Sequence, residues 1–153
     1  MIIPIDIQNG SDIAADVKPF IIQNAERFKR DPWVHENIQY NIFTFPGAFV
    51  YLYHSLKTEF YNNGEKIGID THMPYYIQGW INVYHKNEKI PWHQHNDTKW
   101  PGMYHGVFCI ESAGESYTVY EDGNDVESIN GGCHIICLLY TSELPTTKQV
   151  VVG

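Results

Sequence analysis

The stretch Trp92-His93-Gln94-His95-Asn96-Asp97 reads as a β-strand and its end, with two imidazoles and a carboxylate at alternate positions. Alternate side chains of a strand share one face, so His93, His95 and Asp97 can converge on one point. Neutral imidazole nitrogen with carboxylate oxygen suits a borderline divalent metal such as Fe(II), Mn(II), Co(II) or Zn(II). The chain holds 8 His in 153 residues, and two surface histidines at this spacing are the competing reading.

Working outward, residues 75–85, 90–95, 103–111, 116–120, 126–129, 133–140 and 147–152 are short β-like runs separated by Gly, Asn and Asp turn chemistry. Closely spaced short strands of this kind predict a sandwich or barrel. The acidic stretch Glu121-Asp122-Gly123-Asn124-Asp125 lacks the spacing of a calcium loop and reads as a hairpin turn. Upstream the pattern differs. Residues 2–7 look like a strand, and Ile13, Val17, Phe20, Ile21 and Phe28 then form a helical stripe with Pro19 inside it. Either Pro19 kinks one helix, or it sits in the first turn of a shorter one running to about Arg30. Residues 40–45 look β-like, and Phe49, Leu52, Tyr53, Leu56 and Phe60 form a second helical stripe that stops at Asn62-Asn63-Gly64. The expected organisation is a single domain over 1–153, with 1–63 as a helical and short-strand cover and 75–153 as a β-barrel core.

Composition narrows the partners. Ten Lys and Arg against 18 Asp and Glu leave a formal charge of -8, and the basic residues are scattered, which argues against a grip on nucleic acid. Aromatics make up 14% of the chain, 11 of them Tyr, and they crowd into the β-like runs. No basic n-region with an apolar run opens the chain, and nothing approaches a membrane span of about 18 apolar residues. Cys109, Cys133 and Cys137 form no disulfide framework and suit a reducing compartment, so the chain reads as soluble and cytoplasmic. On an ordinary strand Cys133 and Cys137 would stand roughly 13 Å apart, too far to bridge.

The pattern Trp80-Ile81-Asn82-Val83, a turn, His93-x-His95, a loop, then His105-Gly106-Val107-Phe108 resembles the small Fe(II)/2-oxoglutarate oxygenases. The resemblance covers about thirty residues, from Trp80 to Ile110. It implies a mainly β fold, a double-stranded β-helix (a jelly roll, cupin-like), with two N-terminal helices packed on one sheet. It also implies an oxidoreductase, a dioxygenase that holds Fe(II), takes 2-oxoglutarate as cosubstrate and hydroxylates a small molecule or a peptide. No side chain is implied as acid, base or nucleophile. By position His93 would be the first iron ligand and His95 the second, while the family's more usual H-x-D form offers His95 with Asp97 instead.

The third ligand departs from the family pattern. A distal histidine is expected after Gly132-Cys133-His134-Ile135-Ile136, yet Tyr140-Thr141-Ser142-Glu143-Leu144 contains none. Glu143 would complete a two-His, one-carboxylate set, His134 or His105 a three-His set, or the ligand is missing. Lys148 fits the cation that pairs with the far carboxylate of 2-oxoglutarate. Asn82, Tyr84 and Tyr104 are candidates for holding the cosubstrate, with Trp92 and Trp100 as walls. The chain ends at Gly153, barely through its last expected strand, which leaves an edge for a second copy of the chain to cover as a homodimer. Two rival functions stand beside the oxygenase: a cupin-like metalloprotein that does not use 2-oxoglutarate, and an inactive barrel serving as a binding or assembly module.

Overall fold

The computed structural model describes residues 2–24, 42–68, 70–83, 104–112, 116–120, 124–137 and 147–148. Within them the order is β1 (Ile2–Ile5), α1 (Gly10–Gln23), a 3-10 turn (Ile42–Thr44), α2 (Ala48–Ile67), β2 (Tyr104–Phe108), β3 (Tyr117–Val119), β4 (Asp125–Glu127), β5 (Cys133–Cys137) and β6 (Thr147–Lys148).

Helix α1 forms where the apolar residues fall three and four apart, and Ile13, Ala14, Val17 and Ile21 become its buried face. It runs unbroken through Pro19, which is therefore an interior residue and not a first-turn one. Pro19 and Ala15 are both on the exposed side, where the Ala15 carbonyl that loses its helical donor can be solvated. Residues 25–30, at the expected end of this helix, lie outside the described residues.

Helix α2 overruns the stop expected at Asn62-Asn63-Gly64. Asn63 turns its side chain back on the helix, its Nδ2 donating to the Glu59 carbonyl at 2.9 Å, and Gly64 is buried within the last turns. The helix ends at Gly68, which takes the left-handed conformation (φ 74°) that favours glycine after a C-terminus. Residues 42–44 of the expected β-like run 40–45 form the 3-10 turn, tied to the later chain by Ile42 N–H donating to the Gly79 carbonyl at 2.9 Å. β-branched and aromatic residues suited the strand reading, but a turn buries Ile42 equally well. Of the expected strand 75–85, residues 75–83 carry no strand, although Ile81 and Val83 are buried on either side of half-buried Asn82.

Two apolar clusters form, the first tying the helices to the 3-10 turn and to residues 81–83, the second tying them to the sheet. In one, Val17 and Ile21 of α1 meet Ile42, Phe49, Ile81 and Val83, and the Phe20 ring packs edge-on against Phe49 at 5.6 Å. The other brings Ile5, Ile7, Ile13, Leu52, Cys133 and Ile135 together, so both helices cover one face of the sheet built on β5. Lys18 of α1 also pairs with Glu111 beyond β2.

The strands form two antiparallel three-stranded sheets, ordered β1-β5-β2 and β4-β3-β6. This corrects the expected double-stranded β-helix: the described strands make no closed barrel, only these two small sheets beside two helices. Period-2 runs and turn residues announce strands, but closure depends on which distant strands pair. Here β3, β4 and β6 are only two or three residues long.

Candidate functional site

Register divides the central sheet into two faces. Opposite residues of an antiparallel ladder share a face, so Ile3, Ile5, Tyr104, Phe108, Cys133 and Ile135 lie together, and this is the helix-covered side. The other face carries Pro4, His134 and Val107 in one row, with His105 two residues from Val107 along β2. Its His134 meets the second sheet. Tyr120, just past β3, shares a 2.5 Å hydrogen bond between its hydroxyl and His134 Nε2, with the two rings edge to face at 5.8 Å.

Strand alternation explains why Tyr120 arrives there. Ser116, Thr118 and Tyr120 fall on one side of β3 and are exposed by only 2%, 1% and 5%, while Tyr117 and Val119 between them are half-buried. The β3–β4 ladder continues past both ends, through Ser128 N–H to the Ser116 carbonyl at 2.8 Å and Tyr120 N–H to the Asn124 carbonyl at 2.9 Å. Tyr120 and His134 thus link the two sheets, and the buried side of β3 carries the hydroxyls of Ser116, Thr118 and Tyr120 where aliphatic side chains are more usual. Thr118 Oγ1 has no hydrogen-bond partner among the described residues.

Burial pushes the His134 imidazole down from its ordinary 6.5 to about 4, so it is neutral at pH 7. Below pH 6.5 the unfolded chain takes up a proton that the folded chain refuses, so this contribution is complete above pH 6.5 and lost as pH falls toward 4. Its size is about 3 kcal/mol. Urea unfolding at pH 7 and at pH 4.5 should show this loss, and His134→Asn should flatten the difference between the two. Burial also pushes the Cys109 thiol up to about 11 and that of Cys133 to about 12, with Glu111 and Glu59 adding to the respective shifts. Both are free thiols without nucleophilic character at neutral pH.

The residues singled out in the sequence divide among these places. His93, His95, Asp97 and Glu143, together with Tyr84, Trp92 and Trp100, lie outside the described residues. His134 joins this buried polar layer, its Nε2 held by Tyr120. His105 belongs to the same face of the sheet, diagonal to His134, and its ring lies 6.0 Å from that of Trp80. Tyr104 is on the opposite, helix-covered face, edge-on to Phe60 at 6.4 Å. In the second sheet Lys148 is registered with Tyr117, and Thr147 with buried Thr118. Among the described residues no three His, Cys, Asp or Glu gather as a metal-holding group.

Sequence reasoning missed Thr118 and Tyr120. The available signal was the alternation Ser116-x-Thr118-x-Tyr120, a hydroxyl at every second position of a short run, which marks a polar stripe once that face is known to be inside. No helix among the described residues is long and apolar enough to cross a membrane. Comparison with known protein families, curated proteins and solved structures gives no match for this chain.

Proposed function

We propose that the protein is an Fe(II)- and 2-oxoglutarate-dependent oxygenase acting on a small molecule or a peptide. The observation that carries this reading is His93-x-His95 set between Trp80-x-Asn82 and His105-Gly106-Val107-Phe108. Two imidazoles with a nearby carboxylate form a donor set whose chemistry fits divalent iron. His93 and His95 would hold the metal, with Asp97 or Glu143 supplying the carboxylate. When bound, iron and 2-oxoglutarate would supply the chemistry that hydroxylates a C–H bond, with O2 as the oxidant and 2-oxoglutarate giving up two of the electrons, which no side chain provides. In support, β2 begins at Tyr104, soon after this segment, and forms one flank of the sheet that carries neutral His134.

Neutral imidazole is the form a metal requires, so His134 also keeps a three-histidine, cupin-like set in view. To ligate through Nε2 it would have to give up Tyr120. The test is an anaerobic titration of the metal-free protein with Fe(II), with and without 2-oxoglutarate, read as the visible charge-transfer band of a keto acid chelated on iron. A saturable band that needs both components is the expected result. Metal binding without the band would replace the oxygenase by the cupin-like metalloprotein, and no binding would leave a protein that acts as a binding module.

A further inference from the structure

The buried side of β3 is lined by the hydroxyls of Ser116, Thr118 and Tyr120. A protein interior is normally apolar, because each buried hydroxyl without a partner loses its bonds to water and regains nothing. Here three consecutive inward positions of β3 are hydroxyl residues, all exposed by 5% or less. Tyr120 meets that cost through its bond to His134. Thr118 does not. Its Oγ1 is fully enclosed, has no partner among the described residues, and stands two positions from Tyr120 on the same side of β3.

We propose that Thr118 Oγ1 holds a neutral hydroxyl guest on the buried side of β3, an ordered water or the alcohol group of a small ligand that takes the water's place. Charge selects this class. The residues registered with the layer's inward positions are Val126 and Thr147 on either side of Thr118, and Val107 and Pro4 opposite His134. The charged residues of β4, Asp125 and Glu127, are registered with Val119 and Tyr117 on the other side. A cation or anion would therefore enter without a counter-charge among the described residues, whereas a hydroxyl can donate to one oxygen and accept from another. A buried water ordinarily makes about three such bonds and belongs to the fold. The site needs no metal and stands apart from the oxygenase reading.

Thr118→Val removes the hydroxyl and keeps the shape, so it separates an empty orphan from an occupied site. If Oγ1 binds nothing, the variant loses only an unsatisfied group and becomes as stable as, or more stable than, the parent. If Oγ1 holds a guest, the guest loses its anchor and Tm falls by about 3 °C or more, while Thr118→Ser, which keeps the hydroxyl, retains most of the guest. The expected result is the lower Tm for Thr118→Val with partial recovery in Thr118→Ser. A Thr118→Val protein at or above the parental Tm overturns the proposal, as does a Thr118→Ser protein no better than Thr118→Val. Ethylene glycol is the probe that distinguishes the sources: a saturable rise in Tm in the parent that Thr118→Val lacks assigns the site to alcohol ligands, and equal responses assign it to water. Fe(II) binding by Thr118→Val should match the parent, which keeps this test independent of the iron titration.

Discussion

Replacing Gly131 by alanine should cost about 3 kcal/mol or more of stability, enough to leave a marginal domain largely unfolded. Gly131 has φ 78°, in the turn closed by Gly132 N–H on the Ile129 carbonyl at 2.7 Å. A side chain there is disfavoured by about 1–2 kcal/mol on backbone grounds alone. The second cost is larger. A Cβ on Gly131 would fall inside the backbone of Gly10 and Ser11, and one on Gly10 would strike the Gly131 carbonyl. The first turn of α1 thus rests directly on the turn that feeds β5. Several bonds converge there: Ser11 Oγ to the Asn130 carbonyl at 3.3 Å, Ser112 N–H to Asn130 Oδ1 at 2.7 Å, and Gly131 N–H to the Cys109 carbonyl at 2.7 Å. Backbone cannot swing aside as a flexible side chain can, so alanine must lift the helix off the sheet.

Gly47 provides the control. Its φ is 87°, yet a Cβ there would meet nothing within 4 Å. Gly47→Ala should show the conformational cost alone, about 1–3 kcal/mol for a backbone at φ 87° and ψ −137°. Urea unfolding of the two variants against the parent measures both. Equal losses would mean that the contact between α1 and the β5 turn is not as close as described.

The second large effect concerns the metal. His93→Ala should lower Fe(II) affinity by more than about 100-fold, since even the loss of a residue hydrogen-bonded to a ligand costs about 10- to 100-fold. Isothermal titration under anaerobic conditions reads this directly. Asp97→Ala and Glu143→Ala separate the two carboxylate choices, because only the true ligand should approach the His93→Ala loss. Full retention of affinity in His93→Ala would remove the site built on His93 with His95 and leave His95 with Asp97 as the pair that holds iron. Thr118→Val, which acts on a different face of the problem, should leave that affinity alone.

The two helices were legible because each carries its own periodicity. Ile13, Val17 and Ile21 on α1, and Phe49, Leu52 and Leu56 on α2, recur at three and four, and these became core positions or packed against them. Their ends were less so. Gly64 looked like a stop, yet a glycine can stay helical when it is buried, and the helix instead ended at Gly68, where the chain turns left-handed. Strands β2, β3 and β5 fell within expected β-runs, and the hairpin expected around 121–125 joins β3 to β4. For the site, His134 was singled out in the sequence as a candidate metal ligand, whereas its partner Tyr120, 14 residues away, was not.

Local pattern by itself determined which segments bury a stripe and which alternate, since periodicity is a property of neighbouring residues. Tertiary structure alone decided which strands pair, and so made two small sheets where a closed barrel was expected. It also decided which side of β3 faces inward. That choice turned Ser116, Thr118 and Tyr120 from surface hydroxyls into an enclosed polar layer. A one-residue change of register would have exchanged the two faces, and only long-range pairing sets the register.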